Sequence, residues 1–129
     1  AKEMGLKPLA KIRASASGGL DPAYMGLGPV PAVRKIMQQE NLDIGDFNLI
    51  ELNEAFAAQA IGCIRELNCD IEKTNTLGSG ISIGHPIGCS GARILTTLVH
   101  SMVREGSSLG LASLCIGGGQ GMAVALEQA

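Results

Sequence analysis

Residues 108–127 read SLGLASLCIGGGQGMAVALE, and this stretch decides the fold class. Its two apolar runs, at 108–116 and 122–127, predict β-strands because each is short and bounded by turn residues. The five residues between them are almost all glycine, which is typical of a tight connection between strands. The sequence therefore predicts an antiparallel pair of strands at this end of the chain.

Upstream of this pair, strand and helix patterns alternate. We expect strands at 9–17, 48–52 and 73–76. We expect helices at 31–40, 54–67 and 86–105, where apolar residues recur at helical spacing. This alternation is typical of helices packed on a sheet, so the sequence predicts an α/β domain over 1–129 with a mixed sheet of about five strands.

The composition excludes several classes of function. The 129 residues are 46% hydrophobic and 17% charged, which indicates a folded core. A formal net charge of -2 argues against binding nucleic acid through a basic face, and one Tyr and two Phe provide no platform for stacking bases. The apolar runs fall well short of the roughly 20 residues that span a bilayer, so we expect no membrane partner.

The cysteines are spaced as free thiols. Cys63, Cys69, Cys89 and Cys115 form neither a C-x-x-C pair nor a zinc-binding pattern, so we expect no metal site and a reducing compartment. The expected location is the cytoplasm, and an organellar location would require a targeting segment upstream of residue 1. Because residues 1–6 lack both an initiating Met and a helix-capping residue, they are typical of the end of a helix, and we expect the chain to be part of a longer protein.

The most informative motif is Gly-His-Pro-Ile-Gly-Cys-Ser-Gly-Ala-Arg at 84–93. It places His85 before a proline at the start of a long predicted helix, where free backbone N–H groups favour an anionic or polarised ligand. The motif lacks the Lys of a phosphate-binding P-loop. The structural alternative is a histidine that only caps or packs against a turn.

Cys115 is the second candidate, at the end of the predicted strand and beside the glycines at 117–119. Backbone N–H groups of glycines after a cysteine can form an oxyanion hole for a reacting carbonyl oxygen. The alternative is that Cys115 is a small buried apolar residue, as most free cysteines are.

Asn53 is the third candidate, in Asn-Glu-Ala-Phe-Ala at 53–57, where a predicted strand meets a predicted helix. Its amide either caps that helix or holds a water or carbonyl oxygen at the strand end. Taken alone, the three residues suggest a Cys–His hydrolase or transferase with Cys115 as nucleophile and His85 as base.

The three motifs, in this order, resemble the C-terminal half of the thiolases, which include acetyl-CoA C-acetyltransferases and 3-ketoacyl-CoA thiolases. A loop at 26–32, Gly-Leu-Gly-Pro-Val-Pro-Ala, adds to the resemblance, which covers essentially the whole chain. It implies a thiolase-like C-terminal domain of an acyltransferase that cleaves 3-ketoacyl-CoA by thiolysis or condenses acetyl-CoA. Coenzyme A would be a substrate, and no further cofactor is implied.

The resemblance also implies a role for each site residue. The acylated cysteine would lie in an N-terminal half that this chain does not contain, and His85 would activate it. Cys115 would be the acid/base, and Asn53 would hold a water that, with His85, stabilises a thioester oxygen. The N–H of Gly117 would contribute to a second oxyanion hole, and Met25 would lie near the acyl pocket.

Two positions depart from the thiolase pattern Asn-x-Asn-Gly-Gly ahead of the His motif. Residues 75–79 read Asn-Thr-Leu-Gly-Ser, so Leu77 replaces the second Asn and Ser79 the second Gly. These departures put the local loop geometry in question. They leave His85 and Cys115 in place.

The implied partners are CoA thioesters, the N-terminal thiolase domain and, in the full-length protein, further copies of the same chain. Two other hypotheses remain open. The chain could be a non-catalytic thiolase-like module that binds acyl-CoA or lipid, or a self-contained Cys–His hydrolase in which Cys115 itself becomes acylated.

Overall fold

The computed structural model of the chain describes Ala1 and residues 3–129, which form four strands and four α-helices. The strands are β1 (Ala10–Gly19), β2 (Leu49–Leu52), β3 (Leu109–Ile116) and β4 (Gln120–Gln128). The helices are α1 (Pro29–Glu40), α2 (Ala57–Leu67), α3 (Gly80–Ile83) and α4 (Ser90–Glu105).

The strands form one mixed sheet in the order β1-β4-β3-β2. Both neighbours of β4 run antiparallel to it, whereas β2 and β3 are parallel. The predicted antiparallel pair at the end of the chain is confirmed, with Ile116 opposite Gln120 across a short 3-10 turn at Gly117–Gly119. The predicted α/β class is confirmed as well.

The sheet has four strands in the described residues instead of about five, because 73–76 does not form a strand. Thr74 makes a single parallel bridge to Ile50, and Asn75 then turns the chain with a φ of 52°. The Asn75 side chain makes the two bonds to β2 that the backbone of a neighbouring strand would make. Its Oδ1 accepts from the Leu52 N–H and its Nδ2 donates to the Leu52 carbonyl, each at 2.8 Å.

Two helices begin later than predicted. Helix α2 begins at Ala57 instead of 54, with Phe56 at its N-cap position, so the alternative in which the Asn53 amide caps this helix is wrong. The intervening Glu54 uses its carboxylate elsewhere, accepting from the N–H of Ile81 at 3.1 Å. Helix α4 begins at Ser90 because 86–89 form a turn ahead of it.

The helices cover the two faces of the sheet. Helices α1 and α2 pack on one face, with a core that includes Val33, Ile36, Phe47, Cys63 and Leu111. Helix α4 packs on the other face through Ile94, Leu98 and Met102, against Leu49, Ala112 and Leu126. Because side chains alternate along each strand, the two faces of the sheet contribute to two separate apolar layers.

A close backbone crossing connects the segment before α1 to the start of β4. A Cβ built on Gly121 would overlap the carbonyl of Gly28, and one built on Gly28 would overlap the carbonyl of Gln120. Only glycine at both positions lets the two backbones approach this closely.

The opening residues form a turn in which the Leu6 N–H donates to the Ala1 carbonyl and Gly5 has a φ of 65°. Lys2 of that segment lies outside the described residues. Among the helices described, none combines the length and the apolar character that crossing a membrane requires.

We expect Gly121→Ala to lower the free energy of unfolding by about 1–3 kcal/mol, because the added methyl group would force the two crossing backbones apart. Urea denaturation measures the loss. Gly45→Ala is the matched control, since no atom lies within 4 Å of its Cβ position. Equal stability of the two variants would contradict the crossing as a packing constraint.

Candidate active site

A cavity of about 460 Å³ lies at the end of β3. Its lining residues are Met25, Ala55, Phe56, His85, Ile87, Leu114, Cys115, Ile116 and Gly117. Four of the five predicted site residues therefore line one cavity. The fifth, Asn53, lies in direct contact with His85.

His85 is oriented by Ser90, the first residue of α4. The Nδ1 atom of His85 lies 2.6 Å from the Ser90 Oγ, and that hydroxyl donates to the Pro86 carbonyl at 3.1 Å. When the Ser90 hydroxyl donates to the Pro86 carbonyl, its oxygen is free to accept from an N–H at Nδ1. In that tautomer the Nε2 atom carries the lone pair, which is the arrangement that a general base requires.

Asn53 follows the last residue of β2 and is completely buried. Its backbone N–H donates to the Ser113 carbonyl at 2.9 Å, which continues the pairing with β3. Its side-chain Nδ2 lies 3.4 Å and 3.5 Å from the two ring nitrogens of His85. The amide therefore presents a donor beside the imidazole.

Cys115 lies near the end of β3, opposite Gly121 of β4, and is half-buried. Burial raises the pKa of its thiol above the ordinary value. The protonated form therefore prevails at neutral pH, as a proton donor requires.

Gly117 and Met25 complete the cavity wall. Nothing lies within 4 Å of the position that a Cβ on Gly117 would occupy, so a ligand can approach its backbone. Met25 belongs to a 3-10 segment at Pro22–Leu27, and the carbonyl of its neighbour Gly26 accepts from the buried Cys63 thiol at 3.3 Å. This contact ties the wall to α2.

A buried ion pair lies beneath the cavity; the sequence allowed Glu51 an Arg or Lys partner but did not identify Arg93 as that partner. The Arg93 guanidinium donates through Nη1 to Glu51 Oε2 at 3.2 Å. The Arg93 side chain is 14% exposed and the Glu51 side chain is 5% exposed. Its Nη2 atom donates to Ser79 Oγ at 2.8 Å and lies 3.5 Å from Asn53 Oδ1. The available signal was a lone carboxylate within the buried strand 49–52, which calls for a cationic partner.

Burial raises the pKa of Glu51 to about 7, even though Arg93 acts in the opposite direction. A carboxyl with a raised pKa binds its proton more tightly in the folded than in the unfolded state. Its contribution to stability is therefore complete below the unfolded pKa and is lost as the pH rises toward 7.

We expect Glu51→Gln to remove this pH dependence. Between pH 4.5 and pH 7 the wild type should lose unfolding free energy relative to the variant, because only the wild type binds the extra proton when folded. Urea denaturation of both proteins across that range measures the difference. Glu105→Gln is the control, since Glu105 is exposed in its pair with Arg104. A constant gap between wild type and Glu51→Gln would contradict the raised pKa.

Residues 6–128 match the family model described as "Thiolase, C-terminal domain". The chain belongs to the thiolase family. It is 56% identical to the acetyl-CoA acetyltransferase of Syntrophomonas wolfei over 129 residues, covering 98% of this chain and 33% of that relative. It is also 56% identical to the acetyl-CoA acetyltransferase of Escherichia coli over 124 residues, covering 96% of this chain and 32% of that relative.

Solved thiolase structures share the fold. The human mitochondrial 3-ketoacyl-CoA thiolase in complex with CoA superposes with a TM-score of 0.96 at 44% identity, covering 99% of this chain and 32% of that one. This thiolase chain thus spans about a third of the length of these relatives.

Proposed function

We propose that residues 1–129 are the C-terminal part of a thiolase polypeptide that acts as an acyl-CoA C-acyltransferase. The whole protein would cleave 3-ketoacyl-CoA with CoA and catalyse the reverse condensation of acetyl-CoA. The observation that carries this proposal is the convergence of His85, Cys115 and Gly117 on one cavity, with the Asn53 amide beside the imidazole. A binding module needs no such combination of acid, base and donor groups.

Each residue has a chemical role in this proposal. His85 removes the thiol proton of a cysteine supplied by the N-terminal part, and that thiolate attacks the 3-keto carbonyl of the substrate. The carbon–carbon bond breaks, and Cys115 gives its proton to the departing enolate of the acyl-CoA. The acyl group stays on the cysteine of the N-terminal part until the thiol of a second CoA returns a proton to Cys115 and the CoA sulfur attacks the acyl carbonyl. The acyl group passes to CoA, and the cysteine leaves as a thiolate that takes its proton back from His85.

Hydrogen-bond donors stabilise the charge that develops on oxygen. The Asn53 amide and His85 face one thioester oxygen, directly or through a water, and the N–H of Gly117 faces the other. The apolar lining, which includes Met25, Phe56 and Leu114, strengthens both interactions once the N-terminal part covers the cavity and excludes water. CoA as a substrate is supported by the CoA complex of the human relative. The absence of any further cofactor stays a prediction.

The surface around the cavity supports an N-terminal thiolase domain as partner. Ile87 is 86% exposed and Phe56 is 68% exposed, although both line the cavity. Ile81 and Ile83 of α3, just before His85, are also exposed. Apolar side chains gathered around a polar site are typical of an interface. Assembly into oligomers and the cytoplasmic location stay predictions.

The test compares two proteins with acetoacetyl-CoA and CoA. One is this chain alone, and the other is a full-length polypeptide in which this chain replaces the matching third of the E. coli acetyl-CoA acetyltransferase. Thioester loss and intact protein mass are followed together. We expect turnover from the full-length polypeptide only, with no acetyl adduct on the chain alone.

Other outcomes would overturn the proposal. Turnover by the chain alone, with an acetyl group on Cys115, would establish a self-contained Cys–His enzyme. A folded full-length polypeptide that binds CoA thioesters without turnover would establish a non-catalytic module.

In the full-length polypeptide, Cys115→Ala should lower kcat by about 10²–10⁴-fold, because it removes the proposed proton donor. Cys69→Ala is the matched control. Burial raises the pKa of Cys69 to about 11, but Cys69 does not line the cavity. Equal kcat values for the two variants would contradict an acid/base role for Cys115.

A further inference from the structure

The side-chain amide of Asn53 has two unlike ends, and only one of them serves the site. The nitrogen donates and the oxygen accepts, so a rotation by half a turn would exchange a donor for an acceptor beside His85. The backbone bond of Asn53 to Ser113 fixes the main chain only and leaves the amide orientation open. Another group must therefore select which end faces the imidazole.

Arg93 is the group that can make this selection. Its Nη2 atom lies 3.5 Å from Asn53 Oδ1, the other end of the amide from the nitrogen that contacts His85. A guanidinium has donors and no acceptor. The reversed amide would place its own N–H groups against those of Arg93, so the contact favours the orientation that presents Nδ2 to His85.

Two side chains in turn hold the guanidinium. Glu51 Oε2 accepts from Nη1 at 3.2 Å, and Ser79 Oγ accepts from Nη2 at 2.8 Å. The Nε atom of Arg93 is buried and has no hydrogen-bond partner in the part of the chain that the structure describes. The position of Arg93 Nη2 beside Asn53 therefore depends on Ser79 as well as on the Glu51 carboxylate.

Ser79 is itself locked in place. It is completely buried, and its hydroxyl donates to the Leu52 carbonyl at 3.1 Å, so its oxygen is left to accept from Arg93. This is the position at which the sequence departs from the thiolase pattern by replacing glycine. A glycine here would offer Arg93 no side-chain acceptor.

We propose that Arg93 and Ser79 are positioning residues that fix the Asn53 amide with its NH2 group toward His85. This inference rests on the proposed function, in which that NH2 group stabilises a thioester oxygen. The two residues act through Asn53. Removing the Ser79 hydroxyl should therefore lower kcat only while the Asn53 amide is present.

A double-mutant cycle in the full-length polypeptide tests this coupling. We expect Ser79→Ala to lower kcat about tenfold with little change in KM, because it weakens an interaction needed in the transition state. In the Asn53→Ala background the same substitution should lower kcat by less than about twofold. Equal losses in both backgrounds would overturn the proposal.

Ser101→Ala is the matched control. Ser101 is also buried, and its Oγ accepts from Arg104 Nη2 at 3.5 Å. It lies about two turns along α4 from Arg93. It loses the same hydroxyl group and should keep the kcat of the wild type. A loss equal to that of Ser79→Ala would show a general effect of deleting a buried hydroxyl, which overturns a specific role for Ser79.

A second measurement does not need activity. With ¹⁵N-labelled asparagine in the full-length polypeptide, the side-chain NH2 signal of residue 53 is identified by its loss in Asn53→Ala. Its hydrogen exchange with solvent should quicken at least about tenfold in Ser79→Ala and stay unchanged in Ser101→Ala. An inactive wild type would refute the proposed function, and this exchange rate would still decide the positioning role. Unchanged exchange in Ser79→Ala would overturn it.

Discussion

The parallel pairing of β2 with β3 is the constraint on which the site depends. It sets Leu52 beside Ser113, so that Asn53 and Cys115 reach the same edge of the sheet. The loop that carries His85 is fastened to this pair, because Asn75 and Ser79 both donate to the Leu52 carbonyl. A single backbone position thus joins the strand end to the segment that precedes the histidine.

Much of the fold could be predicted because its signals are local. The apolar runs and the glycines at 117–119 define β3 and β4, and helical spacing of apolar residues defines α1 and α4. The predicted helix start at 54 and the predicted strand at 73–76 are wrong for the same reason. Side chains of Glu54 and Asn75 bond to backbone that is distant in sequence, and a local pattern does not report such contacts.

The same contrast between local signals and distant contacts applies to the candidate site. His85, Cys115 and Asn53 lie in short motifs, so their residue types and neighbours were sufficient to single them out. Glu51 and Arg93 lie 42 positions apart in the sequence. Arg93 ends the motif at 84–93, but that motif does not indicate its partner, and Glu51 lies in no motif. Charge burial of this kind costs free energy unless it is compensated.

The crossing of Gly28 and Gly121 has a consequence for how this protein can diversify. The segment that carries Met25 is joined to β4 by main-chain contact and to α2 by the Cys63 thiol. Side chains on that segment can therefore change in size while the backbone that supports Cys115 stays where it is. Such a division lets the shape of the cavity wall vary separately from the strand end that carries Cys115.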